Sequence, residues 1–290
     1  MHVLFTVAHF YSQAKDSGGK PGHASVGGPA QKRAAALAAC VSSLLQHFGG
    51  QHMIDIYRRR LVPANRADSI EADVTVCTTR GFHLVDKLPL APDSIRHVET
   101  DAEPPYLGYE CHKVMAEGLG EYDYYCYLED DLVIHDPLFF RKTAWFTDQT
   151  GDECVLQPNR YERSMGKFRK VYIDGEIRPG VTEPFQDVAH KPRLRGKVLG
   201  NDVEFIRPHN PHSGCFFLNA RQMLRLSEQP YFTQPDANFI SPLESAAGLH
   251  VMRAFKVYKP APANASFLEV EHFQPNFISL IGDKIAPPEK

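Results

Sequence analysis

The chain has 290 residues, 43% of them hydrophobic and 23% charged, with a formal net charge of −3. These values exclude disordered, collagen-like and coiled-coil chains, and near-neutrality excludes a dedicated nucleic-acid binder, whose footprint is a strongly basic domain. Any anionic ligand must then be met by local charge, and the length suits one large α/β domain over residues 1–290.

The six cysteines (Cys40, Cys77, Cys111, Cys126, Cys154, Cys215) are widely spaced and form no C-x-x-C pair. That spacing predicts reduced, buried thiols in a cytoplasmic protein. The opening MHVLFTVAHFY lacks a basic n-region and reads as a first core strand, not a signal peptide. No apolar run reaches the roughly 18 residues of a membrane span. The sequon Asn264-Ala265-Ser266 reads as a chance match.

His2 to Val7 is a short apolar run of strand type. It breaks into Lys15 to Pro29, too rich in Gly and Pro for regular structure, which predicts a flexible loop. From Ala30 to Phe48 apolar residues recur at helical spacing and stop at Gly49-Gly50, a C-terminal signal. Strands are expected at Met53 to Tyr57 and Asp73 to Thr78, and a helix at Pro104 to Gly118. Tyr122 to Leu128 (YDYYCYL) is rich in aromatics, which predicts a strand buried on both faces and central to the sheet. This alternation predicts a mixed, mostly parallel sheet flanked by helices. Arg160 to Arg207 carries 11 Lys/Arg against 7 Asp/Glu and an Asp174-Gly175 pair that signals a hairpin turn, so it reads as a basic loop and hairpin insertion rising from the sheet. A strand at Cys215 to Leu218, a helix at Ser241 to Ala254, a strand at Phe255 to Tyr258 and a flexible polar tail over 286–290 complete the chain.

Between Glu117 and Asp136 there are seven carboxylates and no Lys or Arg. Glu129-Asp130-Asp131 follows the apolar strand directly, so these three carboxylates emerge at a strand's C-terminal edge, where α/β sheets bind ligands. Crowded like charges disfavour joint ionisation. A divalent cation resolves the conflict, and hard oxygen ligands suit Mg²⁺ or Mn²⁺ completed by water and substrate phosphates. An acidic turn facing solvent is the plainer alternative.

The run YDYYCYLEDDLVI, followed by Asp136-Pro137, resembles the D-x-D region of metal-dependent glycosyltransferases with the GT-A fold. Three later segments fall in the order of that superfamily: His212 to Asn219 (HSGCFFLN), Pro242-Leu243-Glu244 with its following helix, and His272 in EVEHF. The resemblance implies a GT-A-like (Rossmann-like) fold with a nucleotide-sugar-binding half at 1–135 and an acceptor-binding half at 136–290. It implies a divalent cation on Asp131 and His272, Asp130 near the ribose, and Glu129 orienting the site. Gly214 would lie under donor and acceptor, and Glu244 would be the general base of an inverting reaction. Thr6, Ala8 and His9, at the end of the first strand, would embrace base and ribose, and Arg33 would reach a phosphate. Each has a plainer reading as well: a helix N-terminal carboxylate for Glu244, a packing histidine for His272, a solvated helix residue for Arg33. His209 and His212 form a weaker candidate metal pair on a Pro-flanked loop.

The implied activity is transfer of a sugar from a nucleotide-sugar, expected to be a UDP-sugar, to a hydroxyl of a glycan or glycolipid. The basic insertion is the expected acceptor surface, with peripheral contact at the inner face of a membrane and no partner protein. The alternatives are a sugar-phosphate nucleotidyltransferase, whose usual G-x-G-T-R-type loop is missing after the first strand, and a non-catalytic cation- or sugar-binding module.

Overall fold

The computed structural model describes residues 1–13, 26–91 and 93–287. The expected loop at Lys15 to Pro29, up to residue 25, and the last three residues of the expected tail lie outside the described residues.

Five strands make the principal sheet: β1 (His2–His9), β2 (Glu71–Thr79), β3 (Arg96–Thr100), β4 (Tyr124–Glu129) and β5 (Cys215–Asn219), in the order β5-β4-β1-β2-β3. β4, β1, β2 and β3 are parallel and β5 runs antiparallel to β4, so the sheet is mixed and mostly parallel, as the alternating pattern predicts. The pleat sends successive side chains to opposite faces. Val3, Phe5 and Val7 with Cys126 and Leu128 meet one helical layer, α1 (Ala30–Phe48) and α3 (Phe139–Thr150). Leu4, Tyr125 and Tyr127 with Phe216 and Leu218 meet the other, α2 (Leu107–Glu117) and α4 (Ala220–Ser227). That second layer also contains α5, which runs from Pro242–Glu244 through a π-turn, Ser245–Leu249, into His250–Ala254. Apolar residues on both faces therefore belong to a sheet covered twice. All six cysteines are free and buried. Among the described residues no helix is long and apolar enough to cross a membrane.

Several expected elements differ. Tyr122 to Leu128 becomes β4, which is interior, but the middle strand is β1. The strand expected at Met53 to Tyr57 is one arm of an exposed hairpin, His52–Asp55 with Arg60–Pro63, outside the principal sheet. The hairpin turn expected at Asp174-Gly175 lies instead at Leu199-Gly200, between Arg193–Val198 and Asn201–Ile206, where both turn residues have positive φ. Asp174 is buried and pairs with cations, as described below. The region 160–207 is no single excursion: Asn159–Arg163 pairs with Glu269–His272, and Asn201–Ile206 pairs with Lys256–Pro260, the element expected at Phe255 to Tyr258.

Candidate active site

β1 lies between β2 on one side and β4 on the other, so the chain reverses its direction of sheet growth at the β1/β4 boundary. The crevice beyond the C-terminal ends of those two strands is the position where such sheets bind ligands. A cleft of about 780 Å³ opens there, lined by Ala8, Arg33, Glu129, Asp130, Asp131, Arg160, Glu244 and His272 among others.

The acidic triplet is held from three directions. His9 is fully buried; the backbone N–H of Leu84 donates to its Nε2 (3.0 Å), which leaves Nδ1–H to donate to Asp130. Arg33 projects from the first turns of α1 and spans two carboxylates, donating to Asp130 and, at 3.1 Å, to Asp131 Oδ2. Burial works against its charge, but Asp130 and Asp131 outweigh that and raise its pKa. Glu129 faces Arg160 at 3.7 Å. Burial dominates there, so the Glu129 carboxyl is pushed up to about 7 although Arg160 pulls the other way.

Asp131 has one oxygen on Arg33 and a second, Oδ1, buried with no hydrogen-bond partner. His272 Nε2 lies 3.7 Å from Asp131 Oδ2. Antiparallel pairing of His272 with Leu132 produces this contact, and a Phe273 N–H bond to the Asp131 carbonyl (2.7 Å) closes it. The other ring nitrogen, Nδ1–H, donates to Glu162 (2.9 Å), which has no solvent exposure and also accepts backbone N–H groups from Asn276, Phe277 and Ile278. A carboxylate behind a histidine fixes the tautomer and turns the free nitrogen toward a ligand. An unpartnered carboxylate oxygen beside an oriented imidazole is a donor set that fits a divalent cation, with the remaining positions left to water and phosphate oxygens. Burial opposes ionisation of Asp131, but His272 and Arg33 prevail and lower its pKa.

Glu244 stands on the cleft wall in the first turn of α5. Ser241 caps that helix by accepting from Leu243 N–H, and its hydroxyl donates to Glu244. Pro242 at the first helical position suits a start whose N–H would be unpaired in any case. Gly214 lies behind Glu129: its carbonyl accepts Glu129 N–H (2.9 Å), its φ is +63°, and a Cβ there would stand 2.5 Å from Glu129 Oε2. Only glycine fits without displacing that carboxylate.

The structure thus brings Ala8, Arg33, Glu129, Asp130, Asp131, Glu244 and His272 to one cleft, with Gly214 behind it. Thr6 is not part of it, being fully buried with its hydroxyl on the Cys126 carbonyl (3.0 Å). His9 is equally enclosed and serves Asp130, so neither side chain reaches a base or ribose. Of the weaker pair, the His212 ring accepts from Gly214 N–H, and His209 Nδ1 is buried with no hydrogen-bond partner. The insertion presents Ile173, Gly175, Glu176 and Ile177 to the cleft with Arg160. Three of its other cations form ion pairs at exposed positions, Arg163 with Glu271, Lys170 with Glu269 and Arg193 with Glu204.

Three buried polar side chains escape a reading of the sequence. Glu162 sits in a short polar strand, NRYER, and nothing in that sequence marks it. Asp174 and Lys259 are each 2% exposed at the side chain and pair at 2.9 Å, while Asp174 also accepts from Arg160 Nε at 2.8 Å. Elsewhere, at the ends of β2 and β3, His83, His97 and Glu99 bring three donor atoms within 4.8 Å of one another, a second group to be kept apart in any metal titration.

No family model matches the chain, and no curated protein matches it. Among solved structures, one of GalNAc-T7 with UDP, GalNAc and Mn²⁺ is similar at a TM-score of 0.47 and 8% identity, over 95% of this chain and 43% of that chain. The chain spans less than half the length of that protein.

Proposed function

We propose that the chain is a divalent-metal-dependent glycosyltransferase that moves a sugar from a nucleotide-sugar, with a UDP-sugar as the first donor to test, to a hydroxyl of a glycan or glycolipid. The observation that carries this reading is the unpartnered Asp131 Oδ1 beside a His272 oriented by Glu162, in a cleft whose wall bears a second carboxylate, Glu244. Asp131 and His272 would hold Mn²⁺ or Mg²⁺. When bound, such an ion offsets the charge that a nucleoside diphosphate develops as it leaves.

The chain's own groups supply the rest. Glu244 accepts the proton of the acceptor hydroxyl as that oxygen attacks the anomeric carbon, and the Ser241 hydroxyl bond holds its carboxylate in one orientation. Arg33, already between Asp130 and Asp131, provides a guanidinium within reach of a phosphate. Glu129 and Arg160 form the floor on which the sugar would rest. Six free, buried cysteines suit a reducing compartment such as the cytoplasm.

The test combines Mn²⁺ titration calorimetry with a transfer assay over a panel of nucleotide-sugars. Asp131→Asn is expected to lose Mn²⁺ binding in the cleft and to lower transfer by about 10³-fold, the scale of removing one stabiliser of leaving-group charge. His83→Ala should keep both. Transfer by Asp131→Asn at the native rate would refute the metal assignment. Glu244→Gln with native transfer would remove the general-base role and leave a retaining mechanism.

A further inference from the structure

The hairpin His52–Asp55/Arg60–Pro63 stands apart from every other strand among the described residues. It exposes an unusual set of side chains: Met53 is 60% exposed, Ile54 69%, Ile56 82%, Tyr57 95% and Leu61 66%. Successive residues of a strand point to opposite faces, so Met53 and Ile54 open two faces to solvent, and Ile54 stands across from Leu61 in the register. Ile56 and Tyr57 crown the turn. Three consecutive arginines, Arg58, Arg59 and Arg60, follow directly, and between Gln51 and Arg66 the sequence has four Arg against one Asp. That Asp55 is already engaged, accepting from Arg58 N–H at 2.9 Å.

A two-stranded hairpin is marginal in water, and this one spends its apolar residues where none of the described residues covers them. A protein groove covers one face. Apolar residues on both faces and at the tip suit a medium that surrounds the element, and the adjoining arginines suit anionic headgroups, with Tyr57 at the boundary between the two. Its three arginines also repel a second copy of the same hairpin. We propose that this hairpin is a peripheral membrane anchor that inserts Ile56 and Tyr57, with Met53, Ile54 and Leu61 behind them, into the interface of an anionic bilayer.

Its place in the fold separates it from the chemistry. The hairpin joins the end of α1 to the start of β2, at the N-terminal edge of the parallel strands, whereas the cleft lies at their C-terminal edge. One strand of eight residues spans roughly 25 Å, so a chain anchored this way keeps its cleft open to the aqueous phase.

The experiment is cosedimentation of the full chain with phosphatidylcholine vesicles, with and without phosphatidylglycerol, alongside light scattering of the chain alone. Binding is expected with the anionic vesicles and should weaken as salt is raised. Ile56→Asp/Tyr57→Asp should reduce the bound fraction by at least about tenfold, and Arg58→Gln/Arg59→Gln/Arg60→Gln should remove the preference for anionic lipid. These side chains are exposed, so unchanged melting temperatures are expected and would show that the variants fold. Asp131→Asn should bind vesicles as the native chain does, which separates failure of this proposal from failure of the metal site. The proposal is overturned if the native chain stays in the supernatant with anionic vesicles, or if the hairpin variants bind undiminished. A native chain that dimerises in solution while Ile56→Asp/Tyr57→Asp does not would assign the surface to a second copy instead.

Discussion

Glu162 stands one bond removed from the cleft, yet its four hydrogen bonds decide what the cleft can hold. Burial alone would favour its protonated form, but His272 and the backbone N–H groups of Phe277 and Ile278 keep its pKa below the usual value. The anionic acceptor this creates pins His272 Nδ1–H and leaves Nε2 toward Asp131. Glu162→Gln preserves the shape and loses the charge, so Mn²⁺ affinity should fall about 10- to 100-fold, the usual cost of removing such a partner. Calorimetry at fixed pH reads this directly, and undiminished affinity would show that Glu162 only packs. Glu162 also marks where sequence reading stops. Asp131 was legible because three carboxylates at the end of an aromatic strand need an explanation. Glu162 is a lone acid separated from its histidine by 110 positions, and nothing local records that pairing. Thr6 and His9 illustrate the opposite error: the end of β1 is the right place, but the Cys126 carbonyl claims the first side chain, and Asp130 with the Leu84 N–H the second.

At the scale of elements, four of the five strands of the principal sheet could be read because they are largely apolar, and α1 because its apolar stripe ends at a glycine pair; β3 (RHVET) is too polar to have been expected. The small sheets could not. Asn159–Arg163 is almost wholly polar and Arg193–Val198 alternates charged with small or apolar residues, so both read as a solvated insertion, although Arg160 and Glu162 point inward. Their interior is a buried ionic group: Lys259 from Lys256–Pro260 meets Asp174, which meets Arg160 from Asn159–Arg163. Burial opposes the Asp174 charge, but Lys259 and Arg160 outweigh it and hold the carboxyl at about 2. The Asp174-Gly175 pair signalled a turn, and the structure uses the aspartate as the tie between two sheets. Leaving a buried charge unpaired typically costs about 3–5 kcal/mol, but Asp174 keeps Arg160 when Lys259 is lost. Lys259→Met is therefore expected to destabilise the chain by less than that in urea unfolding, and Lys259→Met/Asp174→Leu by less than the sum of the two single changes. Strict additivity would mean that the ions do not act together.

The stability of the whole molecule acquires a pH dependence from two histidines between α2 and α5, the helices that wall the second face of the sheet. His112 is fully buried and His250 is 1% exposed, with ring centroids 5.8 Å apart amid Tyr109, Tyr127, Phe216 and Phe232. His112 donates one bond, to the Ala246 carbonyl at 3.0 Å, while its Nδ1 and both nitrogens of His250 lack partners. Burial pushes the pKa of His112 down to about 3 and of His250 down to about 4, each ring's charge being further opposed by a neighbouring cation, His250 for the first and Arg253 for the second. In the unfolded chain both titrate near 6.5. Between those limits the unfolded state binds more protons than the folded one, so stability rises with pH. It is full above about 6.5 and drains away as pH falls toward 4. At pH 5, about 1.5 pH below the unfolded pKa, each ring should have withdrawn about 2 kcal/mol. Urea unfolding at pH 7 and pH 5, for the native chain and for His112→Gln/His250→Gln, isolates this contribution because every carboxylate is common to both proteins. The native chain should lose more stability on acidification than the variant does. Equal losses would mean that the two rings find protons or water inside the fold, and that the α2/α5 layer opens more readily than its packing implies.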